Sequence, residues 1–483
     1  MTSDDKTYAG KGRVVIRGAS VMTMDDGIGD FDSADVLIGD GKIIAIEKTI
    51  PVDDALVVEA AGKILMPGMV DAHRHLWQDL AKNYSFGNFM FDTNVRYGPM
   101  CSAEDFFLAN YIGGKTALDS GVTCVVDFCH LLQNGEQADA AARGTLAAGV
   151  GGFFCPQLLP PPRSYLHGKP IDAEAAWAET MAAADPEGVS VLAELRDRHF
   201  PSKDGRLRFG VCLTGTEFAH RTRAQIHQEF EYARRLEAGL VTQHLLGVSG
   251  AWRAGMERSY RTIPDLHAAG LIRPGFLVAH GNGLSDEELS MIADDGGSIA
   301  STVMGETAYA YPSVHARFHR ASGAASIGAD GTGRDTHDYF QHIRLAKYGL
   351  YRDEENIGLA HSLRPQDYLR LATIEGARAL GLESQLGSIT PDKQADLVLL
   401  RTNRTFFPQV GDLASRVFGY SSIEDVDSVW VCGERVKQDG SLIGFSWQEQ
   451  FAKCQAAWSR IEAAARKIEF QGALGPTFPA RGS

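Results

Sequence analysis

The stretch Pro67-Gly68-Met69-Val70-Asp71-Ala72-His73-Arg74-His75 decides how this chain is read. Just before it, Ile64-Leu65-Met66 are apolar and stop at a Pro-Gly break, as a short buried strand does. Alternate residues of a strand share a face. The imidazoles of His73 and His75, at i and i+2, therefore point the same way from the strand's end. Neutral imidazole is the commonest protein ligand for zinc and similar ions. The pair is half of a metal site, and the other half has to come from distant parts of the chain.

Outward from this point, strand and helix patterns alternate. After the strand before His73, strands are predicted at Gly121–Phe128, Val150–Leu159, Leu207–Thr214, Leu240–Leu246, Phe276–Ala279, Ser298–Val303 and Ala325–Ala329. Helical patterns lie between most of them, as at Ala224–Glu237, Ser285–Asp295 and Asp338–Tyr351. Ser102-Ala103-Glu104-Asp105 opens another helix with a capping residue and first-turn acids. Eight such units predict an α/β chain closing as a (β/α)8 TIM barrel, with its active site at the C-terminal strand ends. An open parallel sheet is the alternative. Short β signals crowd the first sixty or so residues (Val14–Ile16, Asp35–Ile38, Ile43–Ile46, Leu56–Val58). They return at Ala395–Leu400 and Val429–Val436, which predicts one small sheet domain assembled from both chain ends.

The bulk properties narrow the function. The 483 residues suit a barrel plus a smaller unit, and 44% of them are apolar. A formal charge of −14, with no basic cluster, argues against a nucleic-acid partner. The start, Met1-Thr2-Ser3-Asp4-Asp5-Lys6-Thr7, lacks the basic and apolar runs of a signal peptide, and no stretch is apolar enough for a membrane helix. Seven cysteines without a Cys-x-x-Cys pair fit reduced thiols, so the expectation is a cytoplasmic enzyme with no membrane partner.

Three more residues fall at strand ends. His244 closes the run Leu240-Val241-Thr242-Gln243, His280 closes Phe276-Leu277-Val278-Ala279, and Asp330 follows Ser326-Ile327-Gly328-Ala329. Asp127 lies inside its strand and reads as structural. Three imidazoles and a carboxylate match the ligand set of Zn²⁺, Fe²⁺ or Mn²⁺.

With these residues in place, the chain resembles the amidohydrolase superfamily, within it the branch of triazine hydrolases and cytosine-deaminase-like enzymes. The first-strand motif from Pro67 to His75 is similar to that family's, as are Ala372-Thr373-Ile374-Glu375-Gly376-Ala377-Arg378-Ala379-Leu380-Gly381-Leu382, Leu386-Gly387-Ser388-Ile389 and Lys393-Gln394-Ala395-Asp396-Leu397-Val398. The resemblance covers nearly the whole chain. It implies a β-sandwich built from residues 1–66 and 386–445, a barrel over 67–385 and a helical extension over 446–483. It also implies a homo-oligomer, dimer or tetramer. By the resemblance His73, His75, His244 and Asp330 are the ligands of one divalent ion, zinc foremost, with Fe²⁺ or Mn²⁺ as alternatives. His280 is implied to hydrogen-bond the reacting water or substrate, and Asp330 to shuttle protons. Binuclear relatives add a Lys on the fourth strand, but Leu207–Thr214 contains none.

One position departs from the family. Deaminating relatives carry Glu three residues after the fifth-strand His, where this chain has Gly247. Glu306, after the seventh strand, is the candidate replacement acid. Trp77 and Gln78 are candidates to stack on and hydrogen-bond a flat substrate, and His337 to line the rim. His342 and Arg334 read as peripheral. The expected activity is hydrolysis of a carbon–nitrogen bond, or displacement of another ring substituent, at an sp² carbon of a small cyclic compound. The alternatives are a metal-dependent lyase or decarboxylase, which Gly247 motivates, and a non-catalytic assembly relative.

Overall fold

The structure, a computed structural model, describes residues 12–51, 53–84, 89–163, 171–215, 218, 221–245, 262–308, 311, 313–403 and 410–471. Two parallel sheets carry its functional end. One orders Leu207–Phe209, Gly151–Pro156, Val122–Cys129 and Met69–Arg74 side by side. The other runs Val211–Cys212, Val241–Leu245, Phe276–His280, Ser298–Ser301 and Ala324–Ile327. Gly210 alone separates Leu207–Phe209 from Val211–Cys212, so one extended stretch edges both sheets. At the opposite edges, Arg74 bridges Asp330 in parallel register. This is a TIM-barrel-like α/β fold.

Alternation along the strands explains the packing. Val70 and Ala72, Cys124 and Val126, and Phe153 and Cys155 meet Leu240, Leu277 and Ala300 in one buried cluster. Helix residues at helical spacing cover the strands from outside: Ile226 and Phe230 from Arg223–Arg235, and Leu289 and Ile292 from Asp286–Asp294, share a core with Val278 and Ile299. The predicted C-terminal helix runs Trp447–Ala465, and its Trp458 packs on Tyr84 and Tyr97. Among the described residues no helix is long and apolar enough to cross a membrane.

A nine-stranded sheet draws on both ends of the chain, pairing Ile64–Pro67 antiparallel with Leu397–Leu400 and, at its other side, parallel with the end of Arg13–Val21. This corrects one expectation. Ile64–Met66 is not the strand that carries the histidines. The Pro-Gly break hands the chain from the nine-stranded sheet to a new strand, Met69–Arg74, in the parallel set. Gly68 makes that hand-over possible: its N–H donates to the Asp396 carbonyl at 2.7 Å, and a β-carbon there would run into the Thr123 side chain.

Met69–Arg74 is fully buried and its pairing shifts register between Asp71 and Arg74, the kind of irregularity that re-aims side chains near active sites. Asp71 accepts backbone N–H bonds from His73 (3.3 Å) and Ala329 (3.0 Å), tying the first parallel strand to the end of the last. Arg74, wholly buried, lies 3.5 Å from Asp71 and donates to Asp79 (3.1 Å) and to Thr116 (2.7 Å) on the helix Ala103–Asp119. Lys82 and Thr332 also bind Asp79. Burial opposes ionisation of Asp79, yet Lys82 and Arg74 hold its carboxyl below the ordinary range.

Removing one member of a buried charged network leaves the others uncompensated. Asp71→Ala is expected to destabilise the metal-free protein by about 3–5 kcal/mol, seen as a lower urea midpoint. A second expectation concerns Asp127, which accepts from Leu76 N–H and from Asn110. Burial pushes its carboxyl up to about 7. A raised acid contributes stability that is present below its ordinary value near 4 and lost as pH rises through 7. Between about pH 5 and pH 8 the wild-type urea midpoint should fall more than that of Asp127→Asn, which cannot titrate.

Candidate metal centre

The strand ends gather the histidines. His73 sits in Met69–Arg74 and His75 just beyond it, His244 in Val241–Leu245, and His280 ends Phe276–His280. Asp330 lies three residues past Ala324–Ile327 and is locked to the first strand by backbone bonds: its N–H donates to His73 O (2.9 Å), and His75 N–H donates to its carbonyl (3.2 Å). His280 and Asp330 both adopt positive φ, +72° and +59°, a conformation uncommon for non-glycine residues.

The ligand atoms converge. His73 Nε2 is 3.0 Å from His244 Nε2 and 3.7 Å from Asp330 Oδ1, and His75 Nε2 is 3.0 Å from Asp330 Oδ1. One ligand atom from each of His73, His75 and Asp330 lies within 4.8 Å of the others, and the same holds for His73, His244 and His280. In a tetrahedral site with bonds of about 2.0–2.1 Å, neighbouring ligand atoms sit about 3.3 Å apart. His75 Nδ1 meets the Phe128 carbonyl at 2.8 Å, so it carries the proton and turns the Nε2 lone pair toward Asp330. Burial pushes the His73 ring down to about 3 and the His244 ring well below its ordinary value, with neighbouring imidazoles adding to the effect. A neutral ring can share its proton with one neighbour at these distances. Three imidazole nitrogens and a carboxylate crowded together are nonetheless the donor set that a divalent ion takes, and the residues fit one.

His280 contributes differently. Its Nδ1 is 2.8 Å from Thr302 Oγ1, which leaves Nε2 for the cluster. Glu306 stands behind it on the short helix Val303–Ala308, where a loop was expected. Its carboxylate accepts from Ser301 Oγ (2.8 Å) and Thr302 N–H (2.6 Å) and lies 3.9 Å from His280 Nδ1. It borders the cavity at the cluster, but its oxygens are engaged in holding the Thr302 and His280 arrangement. Gly305 is constrained too: a β-carbon there would lie 3.0 Å from Asp330 Oδ2 and 2.9 Å from Arg334 Nη2.

The other predicted residues scatter. Gln78 and Arg334 line the cavity, Arg334 pairing with Asp335 and lying 5.1 Å from the Phe89 ring centroid. Trp77 is not among the lining residues; it is buried beside Phe106 and its indole reaches His130. His337 is grouped with Lys82 and Asp79 instead, and burial and the Lys82 charge lower its pKa. His342 is buried on the helix Tyr339–Tyr348 and bonds Thr336 O. Gly247 lies outside the described residues. Sequence reasoning missed His130 and Asn94, which both line the cavity. His130 stands one residue past the strand Val122–Cys129, the placement that flagged the other histidines.

The sequence pattern of the amidohydrolase family matches residues 64–436. The chain belongs to that family. This amidohydrolase is 24% identical over 459 residues to a 5'-deoxyadenosine deaminase from Methanosarcina barkeri, covering 92% of this chain and 97% of the relative. It is 28% identical over 460 residues to a probable guanine deaminase from Deinococcus radiodurans, covering 86% and 95%. Among solved structures it superposes on a zinc-bound adenosine deaminase from Xanthomonas campestris with a TM-score of 0.77, at 20% identity over 93% of this chain and 98% of that one. Against the zinc complex of an atrazine chlorohydrolase from Arthrobacter aurescens, the TM-score is 0.76 at 18% identity, over 92% and 99%.

Glu306→Ala should free the Thr302 N–H and loosen His280 without touching the ligand atoms. The expected result is a fall in kcat of about 10–100-fold with the metal content of the purified protein unchanged.

Proposed function

We propose that this amidohydrolase uses one divalent ion, held by His73, His75, His244 and Asp330, to hydrolyse a carbon–nitrogen bond at an sp² carbon of a small heterocycle, releasing ammonia. The observation that carries the reading is a pair of triads sharing His73, one with His75 and Asp330 and the other with His244 and His280, each bringing its ligand atoms within 4.8 Å of one another. Deaminases among its relatives, and zinc in two of its structural neighbours, support the reaction class and favour zinc over Fe²⁺ or Mn²⁺. Such an ion, when bound, lowers the pKa of water from about 15.7 to near 7 and so supplies hydroxide at neutral pH.

The chain's own groups do the rest. Asp330 is placed to take the proton of the attacking water and return it to the leaving nitrogen, with Oδ2 beside Gly305 and Arg334. His280, fixed through Thr302 and backed by Glu306, steadies the charge that develops on the substrate. Gln78 contacts the edge of the heterocycle from the cavity wall. The Arg74–Asp330 bridge and the shared stretch around Gly210 support a closed (β/α)8 barrel over 67–385. The nine-stranded sheet supports a β-sandwich unit from 1–66 and 386–445. Seven free cysteines accord with a reducing compartment such as the cytoplasm.

The test measures ammonia released from aminated purines, pyrimidines and triazines alongside elemental analysis of the protein. His73→Ala and Asp330→Asn should each lower turnover by about a thousandfold or more, and a chelator should abolish it until zinc is restored. Full activity in metal-stripped protein would refute the reading.

A further inference from the structure

Beside the metal cluster, three side chains form a directed hydrogen-bond relay that the reaction as described does not use. Trp77 Nε1 lies 3.3 Å from His130 Nδ1, and His130 Nε2 lies 3.2 Å from Asn94 Oδ1. An indole N–H can only donate, so His130 Nδ1 must accept. A neutral imidazole with an accepting Nδ1 carries its proton on Nε2, which donates to the Asn94 oxygen. The opposite tautomer would aim Nδ1–H at the Phe128 carbonyl, 3.4 Å away, which already accepts from His75 at 2.8 Å and from the His130 backbone N–H at 3.1 Å. It would also set two N–H groups against each other at Trp77.

The relay thereby settles which way the Asn94 amide faces. With Oδ1 occupied, the two N–H groups on Nδ2 are left, and among the described residues they have no protein partner. Asn94 is only 3% exposed, yet it lines the cavity next to His75, whose ring centroid is 4.5 Å from that of His130. Its backbone is clamped as well. The carbonyl accepts from buried Arg163 at 3.1 Å, and the residue sits in a π-helical turn, Asp92–Tyr97, of a kind that recurs at functional sites. On the cavity wall, the Nδ2 donor is free to pair with whatever the cavity binds.

Resting on the proposed reaction, we infer that Asn94 Nδ2 donates to an exocyclic oxygen of the substrate, so that the preferred substrates are heterocycles bearing an oxo group besides the amino group they lose. Asn94 is then a residue that touches substrate, and Trp77 and His130 are positioning residues that set its direction. An oxo oxygen projects about 1.2 Å beyond the ring and, unlike an exocyclic amino group, accepts from a donor on the wall. This assigns Trp77 a role other than stacking on the substrate.

The test uses matched ligands, guanine against 2-aminopurine and cytosine against 4-aminopyrimidine, each pair differing in the oxo group and the ring N–H that accompanies it. Calorimetric binding to the zinc-loaded protein needs no turnover. The wild type should bind the better oxo compound about tenfold or more tightly than its partner. Asn94→Ala should bring the two within about twofold, and Asn94→Asp, which replaces the donor by an acceptor, should reverse the order. Trp77→Phe, keeping the bulk but not the N–H, should raise KM for the oxo compound while kcat and metal content stay near wild type. A preference that survives Asn94→Ala, no preference in the wild type, or no binding of either oxo compound would overturn the inference. Preferential binding without ammonia release would instead sink the reaction assignment and leave the Asn94 contact standing.

Discussion

Everything in the functional end depends on the join between the first parallel strand and the chain just past the last. Asp71 accepts from His73 N–H and from Ala329 N–H, and His73, His75 and Asp330 exchange backbone bonds across the same seam. Three buried imidazoles and a carboxylate would spread apart if their backbones could move. These bonds, backed by the buried Arg74–Asp79–Lys82 network, keep them a few ångströms apart. The energy for that crowding comes from the scaffold, and a cation of matching size relieves it.

The same logic orders the groups around the cluster. His75 is fixed by the Phe128 carbonyl, His280 by Thr302 with Glu306 behind, and His130 by Trp77. His75 and His280 each keep one nitrogen for the cluster, while both nitrogens of His130 are engaged, by Trp77 and Asn94. Such outer contacts decide tautomer and direction, and they place the site's hydrogen-bonding pattern in residues that do not themselves meet substrate.

Much of this was legible from sequence, and the misses have physical causes. His244, His280 and Asp330 stood out only together. A lone His at a strand end is usually a core or rim residue and an Asp before Gly usually a turn, but jointly they complete a ligand set. The Pro67-Gly68 break read as a strand's end because Pro and Gly usually stop strands. Here both sides are extended, and Met69–Arg74, buried on both faces, lacks the alternation that would reveal it. The helix Val303–Ala308 is too short to show a period, so Glu306 read as a loop residue. Trp77 could not be placed, because its task is set by His130 and Asn94, which lie far from it along the chain and meet it only in the fold.

The nine-stranded sheet bears on how the protein is made. Ile64–Pro67 leads into the histidine-bearing strand after a single residue, yet it sits between Arg13–Val21 and Leu397–Leu400. A ribosome must release the chain beyond residue 400 before that strand gains its second neighbour. Contacts so distant along the chain form slowly. Completion of that sheet therefore waits on a segment far downstream of the strand it pairs with.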